Sequence, residues 1–249
     1  MKLLLISGHG NGDLGAVSRI DGIRYREYEQ TRRVTEALKK ALSPYCEADI
    51  YPTSHNAYHD YHAGTLTSTA KFKNYDYVLE VHFNAVSASG YDGKTKGVEC
   101  YVTRGEKSTG VENLICKKVA AVGLRNRGVK RYNYAVINTA KRNGVSSALL
   151  EVCFIDDPDD MAVYLKRFDD IVNAIANGIA EGFGLRREEE EDDMTVIYKT
   201  YDEIPDWGKP TIKKLMDKGY LKGEGGNNIN VEYYMLRTLV INDKAGLYD

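Results

Sequence analysis

Short apolar runs alternate along the chain with longer segments in which apolar residues recur every three or four positions. The apolar runs predict six strands, at residues 2–6, 48–51, 77–81, 98–102, 134–137 and 148–152. Helical spacing predicts helices over residues 28–42, 111–122 and 162–183, and more weakly over 58–73. The alternation predicts an α/β fold, with a twisted, mostly parallel six-stranded sheet and helices on both faces.

The pattern changes after residue 185. Residues 186–193 are all charged, which predicts an acidic, solvated linker over residues 186–194. Residues 195–249 regain apolar spacing, with one helix predicted to end at Gly219 and a second over "VEYYMLRTLVIND". The sequence therefore predicts one domain over 1–185 and a small, mainly helical C-terminal module over 195–249. Because two short helices form only a marginal core, docking, self-association or partner binding is expected to complete it.

Composition and charge narrow the range of partners. A chain of 249 residues with 43% hydrophobic side chains can bury one substantial core and supply a small second unit. The net charge is −2, which predicts no nucleic-acid partner. No stretch approaches the length of a membrane span, and the N-terminal apolar run stops at Ser7. We therefore expect no membrane partner and no signal peptide, with synthesis in the cytoplasm.

Polar residues follow the predicted strands at the edge where α/β sheets bind ligands. His9 follows the first strand between two glycines, and His82 ends the strand in "LEVHFNA". Glu27 lies at the start of the first helix, with Glu29 as a competing carboxylate; either could instead complement the helix dipole. Two imidazoles and a carboxylate are typical of a hydrolytic zinc site. His9, Glu27 and His82 are thus the predicted ligands of one Zn²⁺ ion.

Further polar residues are candidates for catalysis and substrate binding. Glu151 ends the apolar strand "SSALLEV", where a carboxylate is costly to bury unless it has a role, so it is the predicted catalytic proton carrier. Asn84, Gly97 and Glu99 are candidate substrate-binding residues, and a structural role is equally compatible with each of them.

Three further histidines offer an alternative metal site. They are His55, His59 and His62, of which the first two have the i, i+4 spacing of a helical zinc clamp. The acidic residue of an HExxH motif is missing, which favours a polar segment that lines the substrate groove. One of the three is a candidate for substrate contact.

Several stretches together resemble the amidase-3 family of zinc-dependent N-acetylmuramoyl-L-alanine amidases. These stretches are "ISGHG", a Glu before the first helix, "LEVHFNA", "KGVECYV", "NRGVK" and "LLEVCFIDDPDD", and they occur in the family's order over residues 1–185. The resemblance implies that His9, Glu27 and His82 bind zinc and that Glu151 is catalytic. It also implies hydrolysis of the amide between N-acetylmuramic acid and L-alanine of bacterial peptidoglycan by a zinc-activated water.

The C-terminal stretch "IPDWGKPTIKKLMDKGYLKG" resembles a small module of clostridial and phage wall hydrolases. This likeness predicts cell-wall binding or homo-oligomerisation by residues 195–249. Together with the absence of an export signal, it predicts a phage or prophage endolysin that reaches the wall after holin-type release. Two alternatives stay open: a zinc peptidase that acts within the stem peptide, and a wall-binding protein without activity.

Overall fold

The computed structural model describes residues 1–86, 91–187, 196–222 and 228–248. Contacts between Cα atoms divide the chain into two compact units, Met1–Arg187 and Glu188–Asp249. The predicted boundaries at residues 185 and 195 lie near this division. Most of the predicted acidic linker, residues 188–194, lies outside the described residues and stays a prediction. Within the described ranges, no helix is both long enough and apolar enough to cross a membrane.

The first unit alternates strands and helices. In chain order it contains β1 (Lys2–Ser7), β2 (Val17–Ile20), β3 (Ile23–Arg26), α1 (Glu27–Leu42), β4 (Glu47–Ile50), α2 (Ala57–Ala63), α3 (Leu66–Thr69), a 3-10 turn (Phe72–Asn74), β5 (Tyr77–Asn84), β6 (Val98–Val102), α4 (Gly110–Ala121), β7 (Asn126–Arg131), α5 (Ala135–Arg142), β8 (Ser146–Phe154), α6 (Pro158–Lys166) and α7 (Phe168–Phe183).

Six of these strands form one sheet, in the order β4-β1-β5-β8-β6-β7. Strand β1 runs parallel to β4 and β5, and β5 runs parallel to β8. Strand β6 runs antiparallel to β8 and parallel to β7. This arrangement confirms the predicted mostly parallel, six-stranded sheet. It also aligns the carboxyl ends of β1, β5 and β8 at one edge, where the candidate site residues lie.

Two apolar clusters cover the two faces of the sheet. Because side chains alternate along a strand, Leu3 and Leu5 join one cluster and Leu4 and Ile6 join the other. The first cluster includes apolar residues of α1, α4 and α7, and the second includes residues of α2, α3 and α5. Strands covered on both faces have continuous apolar runs, which explains the start of β1.

One predicted strand is wrong. Residues 134–137 lie at the start of helix α5, and the sixth strand of the sheet is β7. A short apolar run is ambiguous between strand and helix, and here Val136, Ile137 and Ala140 bury one helical face. Strand β7 was not predicted because it is a polar strand at the edge of the sheet and has no fully buried residue.

Other element boundaries also differ from the prediction. The predicted helix over residues 162–183 is two helices, α6 and α7, that meet at Arg167. The weak helix over residues 58–73 is divided by Gly64, whose positive φ of 73° ends α2. The β2-β3 hairpin, which turns at Asp21 and Gly22, was not predicted.

The second unit contains strand β9 (Ile197–Thr200), helix α8 (Lys209–Asp217), strand β10 (Asn228–Glu232) and helix α9 (Tyr233–Lys244). The two strands pair antiparallel, so a small ribbon accompanies the two predicted helices. Its buried apolar residues include Ile212, Val231 and Leu236, which form a cluster within this unit. Part of the segment predicted as the second helix, Val231 and Glu232, belongs to β10.

Candidate active site

Strand register places three polar side chains in a row across the sheet. His82 on β5 is opposite Glu151 on β8, and Glu151 is opposite Glu99 on β6. Residues directly opposite each other on neighbouring strands point to the same face. All three side chains therefore lie on the face that carries the second apolar cluster, at the edge where β1 and β5 end.

His9 enters the site from a tight loop after β1. The backbone of His9 has a positive φ of 64°, which costs a non-glycine residue about 1–3 kcal/mol. Reciprocal hydrogen bonds hold this conformation, because the Gly10 N–H donates to the Asp13 carbonyl and the Asp13 N–H donates to the Gly10 carbonyl. The "GHGNGD" stretch is thus a fixed turn that directs the imidazole back over the sheet edge.

Glu27 is the first residue of α1, and the residue is 3% exposed. Its Oε2 accepts the backbone N–H of Ala16 at 2.8 Å, and its Oε1 accepts the N–H of Phe83 at 3.0 Å. The same oxygens face the two imidazoles. Oε2 lies 3.1 Å from Nε2 of His9, and Oε1 lies 2.9 Å from Nδ1 of His82.

The three predicted metal ligands converge. One ligand atom from each of His9, Glu27 and His82 lies within 4.8 Å of the other two, and no other such group of three occurs in the described parts of the chain. Glycines make this approach possible. A Cβ on Gly8 would lie 2.4 Å from the His82 ring, and one on Gly15 would lie 2.6 Å from the Glu27 carboxylate.

This donor set fits zinc. Two imidazole nitrogens and one carboxylate oxygen are the ligands of many hydrolytic zinc sites, in which a fourth position stays open to solvent or substrate. The side chains of His9 and His82 are 26% and 16% exposed, so the group is accessible from one side. Burying three polar side chains side by side costs free energy, and a cation bound between His9, Glu27 and His82 would offset that cost.

The three groups perturb one another electrostatically. Burial alone would lower the pKa of His82, but the carboxylates of Glu27 and Glu80 raise it well above its ordinary value. Burial would also lower the pKa of His9, but the hydrogen bonds to Glu27 and Asp13 and the charge of Glu27 together raise it. Burial would raise the pKa of Glu27, but hydrogen bonds from His82 and His9 hold it well below its usual range.

Glu151 borders a pocket of about 260 Å³ next to the two histidines. The pocket lining includes the polar side chains of Glu80 and Glu151 and the apolar or aromatic side chains of Tyr58, Tyr134 and Leu149. One carboxylate oxygen of Glu151 is buried without a hydrogen-bond partner among the described residues. Burial, followed by repulsion from neighbouring carboxylates, raises the pKa of Glu151 to about 7, although His82 opposes this shift.

The three candidate substrate-binding residues have partners within the protein. The Glu99 carboxylate is 1% exposed and accepts hydrogen bonds from Arg127 at 2.6 Å and Lys130 at 2.5 Å. Asn84 donates its amide to Glu99 at 2.9 Å, and the Gly97 N–H donates to Asp160 at 2.6 Å. None of the three lines the pocket. Their predicted contact with substrate stays a prediction.

The competing candidates lie apart from the converging group. Glu29 pairs with Arg26 at 2.6 Å and is not a member of the metal-ligating set. His55 precedes α2 and lies 2.8 Å from Asp60, so it does not share a helix face with His59. His62 lies beside tyrosine rings on α2. A substrate contact by one of these histidines stays a prediction.

Two carboxylates at the site were not singled out from the sequence. Asp13 lies 2.8 Å from Nδ1 of His9, and Glu80 lies 3.2 Å from Nε2 of His82. The signal for Glu80 was present, because an acidic residue two positions before a histidine on a buried strand shares its face. Asp13 could not be inferred, since its position depends on the loop turn.

We expect Glu27→Gln to lower the pKa of both His9 and His82 in protein stripped of metal by a chelator. The substitution removes the anion that stabilises each protonated imidazole, so both titration midpoints move to lower pH. Carbon-detected NMR titration of the imidazoles measures this. Glu29→Gln is the matched control and leaves both midpoints in place. Equal shifts in the two variants would contradict the assignment.

Comparison with known proteins places this geometry in a family. A family profile described as Amidase_3, N-acetylmuramoyl-L-alanine amidase, matches residues 3–181. No curated protein sequence matches the chain.

Solved structures share the fold. The catalytic domain of CwlV, an N-acetylmuramoyl-L-alanine amidase from Bacillus (Paenibacillus) polymyxa var. colistinus, aligns with a TM-score of 0.60 and 21% identity over 74% of this chain and 99% of that one. The catalytic domain of the CD27L endolysin, which targets Clostridia difficile, aligns with a TM-score of 0.56 and 20% identity. That match covers 73% of this chain and 97% of the endolysin domain. Cwp6 from Clostridium difficile aligns with a TM-score of 0.59 and 21% identity, and the match covers 73% of this chain but only 29% of Cwp6. The profile match confirms the family resemblance: the chain belongs to the Amidase_3 family of N-acetylmuramoyl-L-alanine amidases.

Proposed function

We propose that the protein is a zinc-dependent amidase that hydrolyses the bond between N-acetylmuramic acid and L-alanine in bacterial peptidoglycan. The observation that carries this proposal is the convergence of His9, Glu27 and His82 beside the partnerless carboxylate oxygen of Glu151. Family membership selects the amide that is cut, since the donor set alone does not specify a substrate.

His9, Glu27 and His82 would hold one zinc ion. When bound, zinc supplies a Lewis acid that polarises the scissile carbonyl and acidifies water. The protein contributes a rigid, mostly buried set of donors. Glu27 is fixed by hydrogen bonds from two backbone N–H groups. His82 lies on β5 and His9 follows β1, and the pairing of these two strands fixes where the two histidines lie.

Glu151 is the proposed proton carrier. Its carboxylate accepts the proton of the attacking water and then donates it to the amide nitrogen as the bond to the carbonyl carbon breaks. A pKa of about 7 suits both steps, because both protonation states are populated near neutral pH. The products are a lactyl carboxylate and a stem peptide with a free L-alanine amino group.

Glu151→Gln is expected to reduce hydrolysis of purified sacculi by about 10²–10⁴-fold, because an amide cannot relay the proton. Zinc content should stay at the wild-type level, since Glu151 is not among the converging ligands. The measurement is the rate of turbidity loss, with zinc content determined on the same samples. Glu181→Gln removes an exposed carboxylate that pairs with Lys118 and is the control with wild-type activity.

Analysis of the soluble products decides which bond is cut. An amidase releases free L-alanine amino termini, whereas a peptidase acting within the stem peptide releases other amino termini. A variant Glu151→Gln that is as active as the wild type would contradict the role of Glu151. A wild type that cleaves sacculi no faster than buffer alone would contradict enzymatic activity and would favour a wall-binding protein.

We further propose that the second unit binds the cell wall. The support is a group of three aromatic rings. Trp207 and Tyr234 are 47% and 42% exposed, and each contacts the half-buried ring of Tyr233, which lies 6.2 Å from that of Trp207. Aromatic rings that are half exposed are enriched at binding surfaces. A binding unit would keep the enzyme at high local concentration on an insoluble polymer.

The endolysin role, with holin-type release, is also a proposal. It is supported by the fold shared with the catalytic domain of the CD27L endolysin.

Trp207→Ala is expected to reduce the fraction of protein that sediments with insoluble sacculi, because it removes the largest ring of the aromatic set. Tyr220→Ala removes a ring that is 71% exposed and lies outside this set, and it should sediment like wild type. Sedimentation velocity of both variants tests the alternative, homo-oligomerisation. Unchanged pelleting together with a loss of oligomers in Trp207→Ala would contradict wall binding.

A further inference from the structure

Each imidazole of the proposed metal site is held between two carboxylates. Nε2 of His9 faces Glu27 at 3.1 Å, and its Nδ1 faces Asp13 at 2.8 Å. Nδ1 of His82 faces Glu27 at 2.9 Å, and its Nε2 faces Glu80 at 3.2 Å. Glu27 thus occupies the inner side of both rings, and a separate carboxylate occupies the outer side of each.

This arrangement has a chemical consequence for a bound cation. A neutral imidazole carries one N–H and one lone pair, and the cation takes the lone pair. A carboxylate can only accept a hydrogen bond, so an outer carboxylate keeps the proton on the outer nitrogen. The inner nitrogens, Nε2 of His9 and Nδ1 of His82, then present their lone pairs beside Glu27. Such outer carboxylates orient histidine ligands in many metal sites.

Asp13 is itself fixed on the loop that carries His9. Its Oδ1 accepts the N–H of Gly15 at 3.0 Å, and its Oδ2 accepts the amide of Asn56 at 3.2 Å as well as facing His9. Asn56 is 1% exposed and also caps α2 through hydrogen bonds from Tyr58 and His59. The carboxylate therefore has little freedom to leave the imidazole.

Glu80 is fixed by the sheet. It lies on β5 two residues before His82, so the two side chains share a face, and it is 5% exposed. One oxygen faces His82, and the other has no hydrogen-bond partner among the described residues. A buried carboxylate with an unsatisfied oxygen is destabilising, so its presence in the folded protein indicates a role in the site.

We propose that Asp13 and Glu80 are positioning residues that fix the proton of His9 on Nδ1 and the proton of His82 on Nε2. This inference rests on the proposed zinc-dependent function and extends it to residues outside the ligand set. It assigns opposite ring nitrogens as ligands in the two histidines, Nε2 in His9 and Nδ1 in His82.

The first test is zinc affinity, measured by competition with a chromophoric chelator and with zinc as the only added ligand. Asp13→Ala and Glu80→Ala should each weaken zinc binding about 10–100-fold. Glu80→Gln should recover part of this loss, since its amide oxygen can accept the same N–H. Asp60→Ala is the matched control, because it removes a carboxylate from His55 at 2.8 Å and should leave zinc affinity unchanged.

The second test separates positioning from a merely structural role. Long-range proton–nitrogen NMR spectra of the zinc-loaded wild type should place the proton on Nδ1 of His9 and Nε2 of His82. Asp13→Ala should speed solvent exchange of the His9 proton only, and Glu80→Ala that of the His82 proton only. A loss of fold would change both signals together.

Three results would overturn the proposal: protons on the opposite nitrogens, unchanged zinc affinity in both alanine variants, or an equal loss of affinity in Asp60→Ala. In each of these cases the wild type still binds zinc, so the proposed function would stand. A wild type that does not bind zinc would overturn the zinc-dependent function and this inference together.

Discussion

The Glu27 carboxylate between two imidazoles is the interaction on which the site depends. A buried anion needs polar partners: Glu27 accepts backbone N–H groups from the loop before β2 and from strand β5, and its two oxygens face the imidazoles of both histidines. These donors come from segments that are distant in sequence and meet only in the folded sheet. Formation of the site is therefore coupled to folding of the first unit, and no single segment can hold the donor geometry alone.

The sheet gives neighbouring acids opposite environments. Burial would raise the pKa of Glu99, but Lys130, Arg127 and Tyr101 hold it below its usual value, so Glu99 is an internal anion. Glu151, directly opposite on the next strand, pairs with no lysine or arginine among the described residues, and burial raises its pKa to about 7. Catalytic sites typically contain two acidic residues whose surroundings shift their pKa values in opposite directions, so that one stays charged and the other carries the proton.

Much of this architecture could be predicted because it follows from local patterns. Apolar runs located five of the six strands of the main sheet. Polar residues at strand ends and at the start of the first helix indicated His9, Glu27 and His82, which converge, and Glu151, which lines the adjacent pocket. The failures have physical reasons: the apolar run at residues 134–137 fits a helix as well as a strand, and the edge strand β7 carries few apolar residues. Contacts such as Asp13 with His9 depend on the conformation of a glycine-rich loop, which no periodicity encodes.

The central claim is that His9, Glu27 and His82 form one binding site for a divalent ion. Its most direct test is a crystal of the 249-residue chain grown with one equivalent of zinc, with diffraction data collected on both sides of the zinc absorption edge. The account predicts a single anomalous peak bonded to Nε2 of His9, Nδ1 of His82 and a Glu27 oxygen. A peak held by His55, His59 or His62, or no peak at the converging group, would contradict it.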